Sequence, residues 1–118
     1  MRKEIDLGGS TLPIVCNSAT PWIAKRLFNF DFMRFITESG DKEVGEKLER
    51  LEQLVYTMAV QAKMSTTDAL NEKPDGFFEW VSNYDMYTMA SVIVPQALEL
   101  WTQNNAASST PKNPVAPQ

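Results

Sequence analysis

Val44, Leu48, Leu51, Val55, Met58 and Ala62 recur three and four residues apart. That spacing puts all six on one face of an α-helix. A helix predicted over about 42–64 therefore carries a long apolar stripe, which the rest of the chain must cover. Glu43/Lys47 and Glu46/Arg50 lie four apart on the other side, where each pair adds about 0.3–0.5 kcal/mol. The acid-rich run 38–52 reads as this solvated face rather than as a cation site. Gly45 costs about 1 kcal/mol against Ala inside a helix.

The covering surfaces come from both sides. At the N-terminus, residues 3–7 and 10–15 flank Gly8-Gly9, and a Gly-Gly pair suits a two-residue β-turn that needs positive φ. Such a loop sets Leu7 opposite Ser10, Asp6 opposite Thr11, Ile5 opposite Leu12, Glu4 opposite Pro13 and Lys3 opposite Ile14. Paired residues share a face, so Ile5, Leu7, Leu12 and Ile14 point one way while Glu4, Asp6 and Thr11 point the other. Pro13 lacks an N–H and must sit where the ladder requires none. A lone hairpin is marginal in water, so its apolar face must pack on helices or on a partner.

Thr20-Pro21 predicts a helix start, with Thr as N-cap and Pro at the first helical position. Asn29 tolerates the left-handed conformation that closes a helix, and Asp31 can cap the next one. Two short helices follow, over about 21–28 and 32–38, with Phe28, Phe32, Phe35 and Ile36 as an apolar stripe and Ser39-Gly40-Asp41 as the stop. Residues 65–74 read as a loop. Pro74-Asp75-Gly76 leads into a helix over about 76–84 holding Phe77, Phe78, Trp80, Val81 and Tyr84. Asp85 caps a last helix, about 86–103, in which Pro95 removes one backbone donor and crowds the carbonyl of Ser91, predicting a kink.

The fold class is thus mainly α: an N-terminal β-hairpin (3–15) followed by a compact bundle of about four to five helices. The 118 residues suit one domain, 1–103. From Asn104 to Gln118 the chain has almost no apolar bulk and three prolines, which predicts a disordered tail.

Composition narrows the chemistry. The chain has no His and one Cys, Cys16. An intrachain disulfide is excluded, and the commonest metal ligand and general base are missing. Cys16 reads as a small buried apolar residue rather than a nucleophile, because a nucleophilic Cys normally needs a base beside it. Gly8-Gly9 leads into a strand, not a helix, which argues against a phosphate loop. No catalytic, cofactor-binding or metal-ligating set stands out, and an enzyme is not expected. No apolar run approaches the roughly 20 residues that cross a bilayer, and the N-terminus has no apolar h-region of a secretory signal; the expected compartment is a cytoplasm. The net charge of −4 is uneven: residues 1–37 net +2 and the remainder −6. Lys25-Arg26 is only a pair of basic residues, too small for phosphate-backbone binding, so nucleic acid is not an expected ligand. The large residues left as partner contacts are Trp22, Phe28, Trp80 and Trp101, each with plain core packing as the competing reading. Met58, Met64, Met86 and Met89 divide in the same way between an adaptable surface and core filling.

The order of elements resembles the tail assembly chaperones of long-tailed bacteriophages and Gram-positive prophages. The resemblance rests on Glu4-Ile5-Asp6-Leu7-Gly8-Gly9, the Thr20-Pro21 helix start, and Lys25-Arg26-Leu27-Phe28-Asn29-Phe30-Asp31. It continues through Leu51-Glu52-Gln53-Leu54-Val55-Tyr56-Thr57-Met58-Ala59, Phe78-Glu79-Trp80-Val81 and Leu98-Glu99-Leu100-Trp101 before a Ser/Lys/Pro tail. It spans about residues 3–110 and lies in order and spacing. Asn29 stands where the family carries Gly, and Phe30 where it carries a polar residue. The resemblance implies a protein of the host bacterial cytoplasm that binds the tape-measure protein and helps the major tail protein polymerise around it. It also implies absence from the finished virion and, in many members, a longer frameshifted version. Self-association through the hairpin edge is a further expectation. The alternative reading is a small helical transcription regulator or adaptor, with Asn29-Phe30-Asp31 as a helix-turn-helix corner and Arg34 as the only basic residue just beyond it.

Overall fold

The computed structural model describes residues 1–32, 44–72 and 74–109. The expected helix over 32–38 (Phe32 aside), the 39–41 stop, the two charge pairs of residues 43–50 and the tail beyond 109 lie outside the described residues. The chain is mainly α, with one two-stranded hairpin ahead of five helical segments among the described residues.

Strands β1 (Arg2–Asp6) and β2 (Thr11–Val15) pair antiparallel in the expected register, with Ile5 opposite Leu12 and Glu4 opposite Pro13. Gly8 has φ +94° and Gly9 does not share its sign, the pattern of a turn whose first central residue needs positive φ. The carboxylate of Asp6 accepts the Gly8 N–H at 2.8 Å, and the Leu7 N–H donates to Ser10 at 2.9 Å. At the open end, the Met1 ammonium and the Cys16 N–H each donate to the other residue's carbonyl at 2.8 Å. Bonded pairs alternate along such a ladder. Glu4–Pro13 is therefore a non-bonded pair, and the donor that proline lacks would have pointed off the free edge of β2. Pro13 blunts that edge, leaving β1 as the edge open to strand addition.

Helix α1 spans Thr20–Phe28. Thr20 does not cap it as expected. Thr20 is its first residue, and the Asn17 side chain instead caps the preceding turn by accepting the Ala19 N–H at 2.8 Å. Thr20 is fully buried, so its hydroxyl turns inward: it accepts the Asn17 N–H at 2.9 Å and donates to Gln61 Oε1 at 2.6 Å. The Gln61 amide returns to Asn17 Oδ1 at 3.1 Å. This closed polar knot ties the hairpin exit to the central helix. Asn29 ends α1 in the left-handed region at φ 51°, ψ 46°, as an Asn at that position allows.

Helix α2, Val44–Lys63, is the centre of the molecule. Gln53 to Val60 are buried without a break, so two full turns are covered on every side rather than on one stripe. Leu54, Val55, Met58 and Ala59 face a core shared with the hairpin (Ile5, Leu12, Ile14), Phe32 and the last helix. Tyr56 and Val60 face a second core with Ile23, Leu27, Ala69 and Phe77.

The expected loop 65–74 holds a short helix, α3 (Thr66–Leu70). The Ser65 hydroxyl accepts the Asp68 N–H at 3.1 Å, and Ala69 is buried beneath it. Ser-Thr-Thr-Asp is a capping sequence as much as a loop sequence, and burial of Ala69 decides the matter. A 3₁₀ turn, Pro74–Gly76, then enters α4 (Phe77–Val81), shorter than the expected 76–84. A Cβ on Gly76 would stand 3.0 Å from the Tyr56 hydroxyl, a tight approach that a side chain here would relieve only by shifting the tyrosine.

The last helical segment, α5, runs in three stretches: α-helical Met86–Thr88, π-helical Met89–Ile93 and α-helical Val94–Ser109. Asp85 caps it as expected, accepting the Thr88 N–H at 2.6 Å. The Val94 N–H reaches back five residues to Met89. The wide turn sits directly before Pro95, whose missing donor and bulky ring an unbroken α-helix could not accommodate without strain. The helix also passes the expected boundary at 103 and continues through 104–109. Adding residues to a helix already anchored by buried Leu100 and Trp101 is far easier than nucleating one, and no proline intervenes before Pro111.

Candidate protein-binding surface

Helix α1 buries Thr20, Ile23, Ala24 and Leu27. The 3.6-residue period then places Trp22, Lys25, Arg26 and Asn29 together on its outer side. Trp22 is 69% exposed, the only exposed large apolar residue of α1. Lys25 and Arg26 are exposed and form no salt bridge with any described residue. These four residues and Leu70 of α3 line an open groove of about 700 Å³. An aromatic plate beside two cations suits a segment that is both apolar and acidic.

The four expected contact residues separate. Trp22 lies on the surface. Phe28 and Trp80 are half-buried at the rim of the second core. Phe28 meets Phe77 at 5.4 Å and Tyr56 at 6.1 Å, ring centre to ring centre. Trp80 meets Tyr56 and Tyr84, each at 5.3 Å. Trp101 is 4% exposed within the hairpin-side core, so for this residue the packing reading replaces the contact reading. The methionines divide likewise: Met58 and Met89 fill the core, Met64 is half-buried, and Met86 is 84% exposed.

A second apolar surface lies at the corner between α4 and α5, where Phe78 is 72% and Tyr87 75% exposed beside Met86. Neither Phe78 nor Tyr87 was among the expected contacts. The signal for Phe78 was its neighbour: consecutive helical residues point about 100° apart, so Phe77 and Phe78 cannot both enter a narrow core. Asp75 lies in the turn before α4, Glu79 on α4, and Asp85 at the start of α5. The stretch 74–109 contains four carboxylates and no Lys or Arg.

Burial and hydrogen bonding shift several titrating groups. Burial pushes the Cys16 thiol up, against the smaller opposing effect of its hydrogen bond to Thr20, which makes it a poor nucleophile at neutral pH. Burial, with Glu49 nearby, raises Glu52. The Thr88 N–H holds Asp85 below the usual carboxylate range. Among the described residues no three His, Cys, Asp or Glu side chains converge to hold a metal ion, and no helix is long and apolar enough to cross a membrane. No protein-family model matches the chain, and no curated protein or solved structure is significantly similar to it.

Proposed function

We propose that this chain is an ATP-independent assembly chaperone of the phage tail type that its sequence resembles. It acts in the host bacterial cytoplasm and stays out of the finished virion. The observation that carries the reading is the division of its large side chains. The domain closes a core around α2 and still presents Trp22, Phe78, Met86 and Tyr87 to solvent. Exposed aromatics clustered with charge are characteristic of protein-binding surfaces.

In this reading the client is the tape-measure protein, whose helical segments dock in the groove along α1. Trp22 covers apolar side chains while Lys25 and Arg26 pair with carboxylates. The masking lasts until subunits of the major tail protein displace the chaperone. A contact of this size gives weak, reversible binding, which displacement requires. The test is co-expression with a tape-measure protein from the same genome. The expected result is a larger soluble fraction of the client with the wild-type chain, lost on Trp22→Ala. A client equally insoluble with and without this chain rules the reading out.

A further inference from the structure

The two exposed apolar surfaces differ in sign. The α1 face carries Trp22 with Lys25 and Arg26, while the α4–α5 corner carries Phe78, Met86 and Tyr87 with Asp75, Glu79 and Asp85. None of Lys25, Arg26, Asp75 and Glu79 forms a salt bridge with a described residue of its own chain. The surfaces sit on neighbouring elements, since Phe28 of α1 packs against Phe77 of α4 at 5.4 Å.

The geometry points to a reciprocal pairing of two copies of this chain, in which the basic α1 face of each covers the acidic α4–α5 corner of the other. A two-fold arrangement makes both contacts at once, because a surface holding both halves of a complementary pair is complementary to itself. The area is sufficient. Aromatic side chains bury about 150–250 Å² each when covered, so Trp22, Phe78, Met86 and Tyr87 together remove on the order of 600 Å² per copy. The apolar stems of Lys25 and Arg26, with Leu70 at the groove, bring this close to the ~800 Å² per partner of a stable interface. Like charges do not face each other anywhere in the pairing, which separates it from a contact of two α1 faces or of two corners. The hairpin edge takes no part, so the pairing differs from association by strand addition. The pairing covers the α1 face that the proposed client would occupy, so a second copy and a client compete for it; the test of the pairing uses this chain alone.

The experiment is sedimentation equilibrium of the full chain with two charge-reversed variants, K25E/R26E and D75K/E79K. Asp85 is left intact because it caps α5, and circular dichroism checks that each variant is folded. The wild-type chain is expected to dimerise, more weakly at high salt. Each variant alone should lose at least about tenfold in association constant. An equimolar mixture should regain it, because the acidic α1 face of one variant then meets the basic corner of the other. Trp22→Ala and Phe78→Ala, both at exposed sites, should each weaken the dimer without changing the fold. A wild-type chain monomeric at every concentration, a dimer that survives both reversals, or a mixture that remains monomeric overturns the proposal.

Discussion

The core between the hairpin and α5 is mostly aliphatic and encloses its two buried rings, Phe32 and Trp101, whereas the core between α1 and α4 is richer in rings that reach the surface at its rim. Ile5, Leu12, Ile14, Leu54, Met58 and Ile93 fill the first, and Trp101 is sealed among them. The second has Tyr56 and Phe77 at its centre and half-buried Phe28 and Trp80 at its edge. Trp22 and Phe78 stand outside it. The difference is one of geometry. Small branched side chains on a strand face and two helices interdigitate and leave little exposed. Rings packed edge to face hold their centres 5–6 Å apart here. They spread across the short α4, whose outer side leaves Phe78 exposed. One core closes around the hairpin, and the other leaves aromatic side chains exposed beyond its rim.

Substituting the two tryptophans at opposite ends of this contrast gives the strongest way to break it. Trp101→Ala should cost about 3–5 kcal/mol, read as a lower midpoint in urea denaturation. A loss below 1 kcal/mol would mean the hairpin-side core is not closed. A smaller effect is expected where the two cores are tied together. Thr20→Val keeps the shape and strands the Asn17 N–H and Gln61 Oε1, which should cost about 1–3 kcal/mol in the same measurement. The smallest effect belongs to Trp22→Ala, within about 0.5 kcal/mol of wild type. If it instead destabilised the chain as Trp101→Ala does, the open rim would be core after all.

Much of the fold is legible in the chain. The hairpin register follows from Gly8-Gly9 and the parity of Ile5, Leu7, Leu12 and Ile14, because strand alternation is local and admits one solution. Asn29 and Asp85 mark helix boundaries because each does its work within a few residues of itself. The candidate site was less legible. Trp22 and Trp101 both lie in amphipathic helices, and periodicity does not tell which face finds a partner element. Ser65 reads as a loop residue in the sequence although it caps α3, because a five-residue helix carries too little periodicity to register.

The sequence by itself determined the elements whose causes are local: the turn, the helix boundaries at Asn29 and Asp85, the apolar stripe of α2 and the lack of histidine. Only the tertiary structure decided that residues 53–60 of α2 are buried on all sides and that the Thr20 hydroxyl turns inward to Gln61. It also decided that the helix reaches Ser109, and that Trp101 is core while Trp22 is surface. Burial depends on what packs against a residue from far along the chain, and no short window of sequence contains that neighbour.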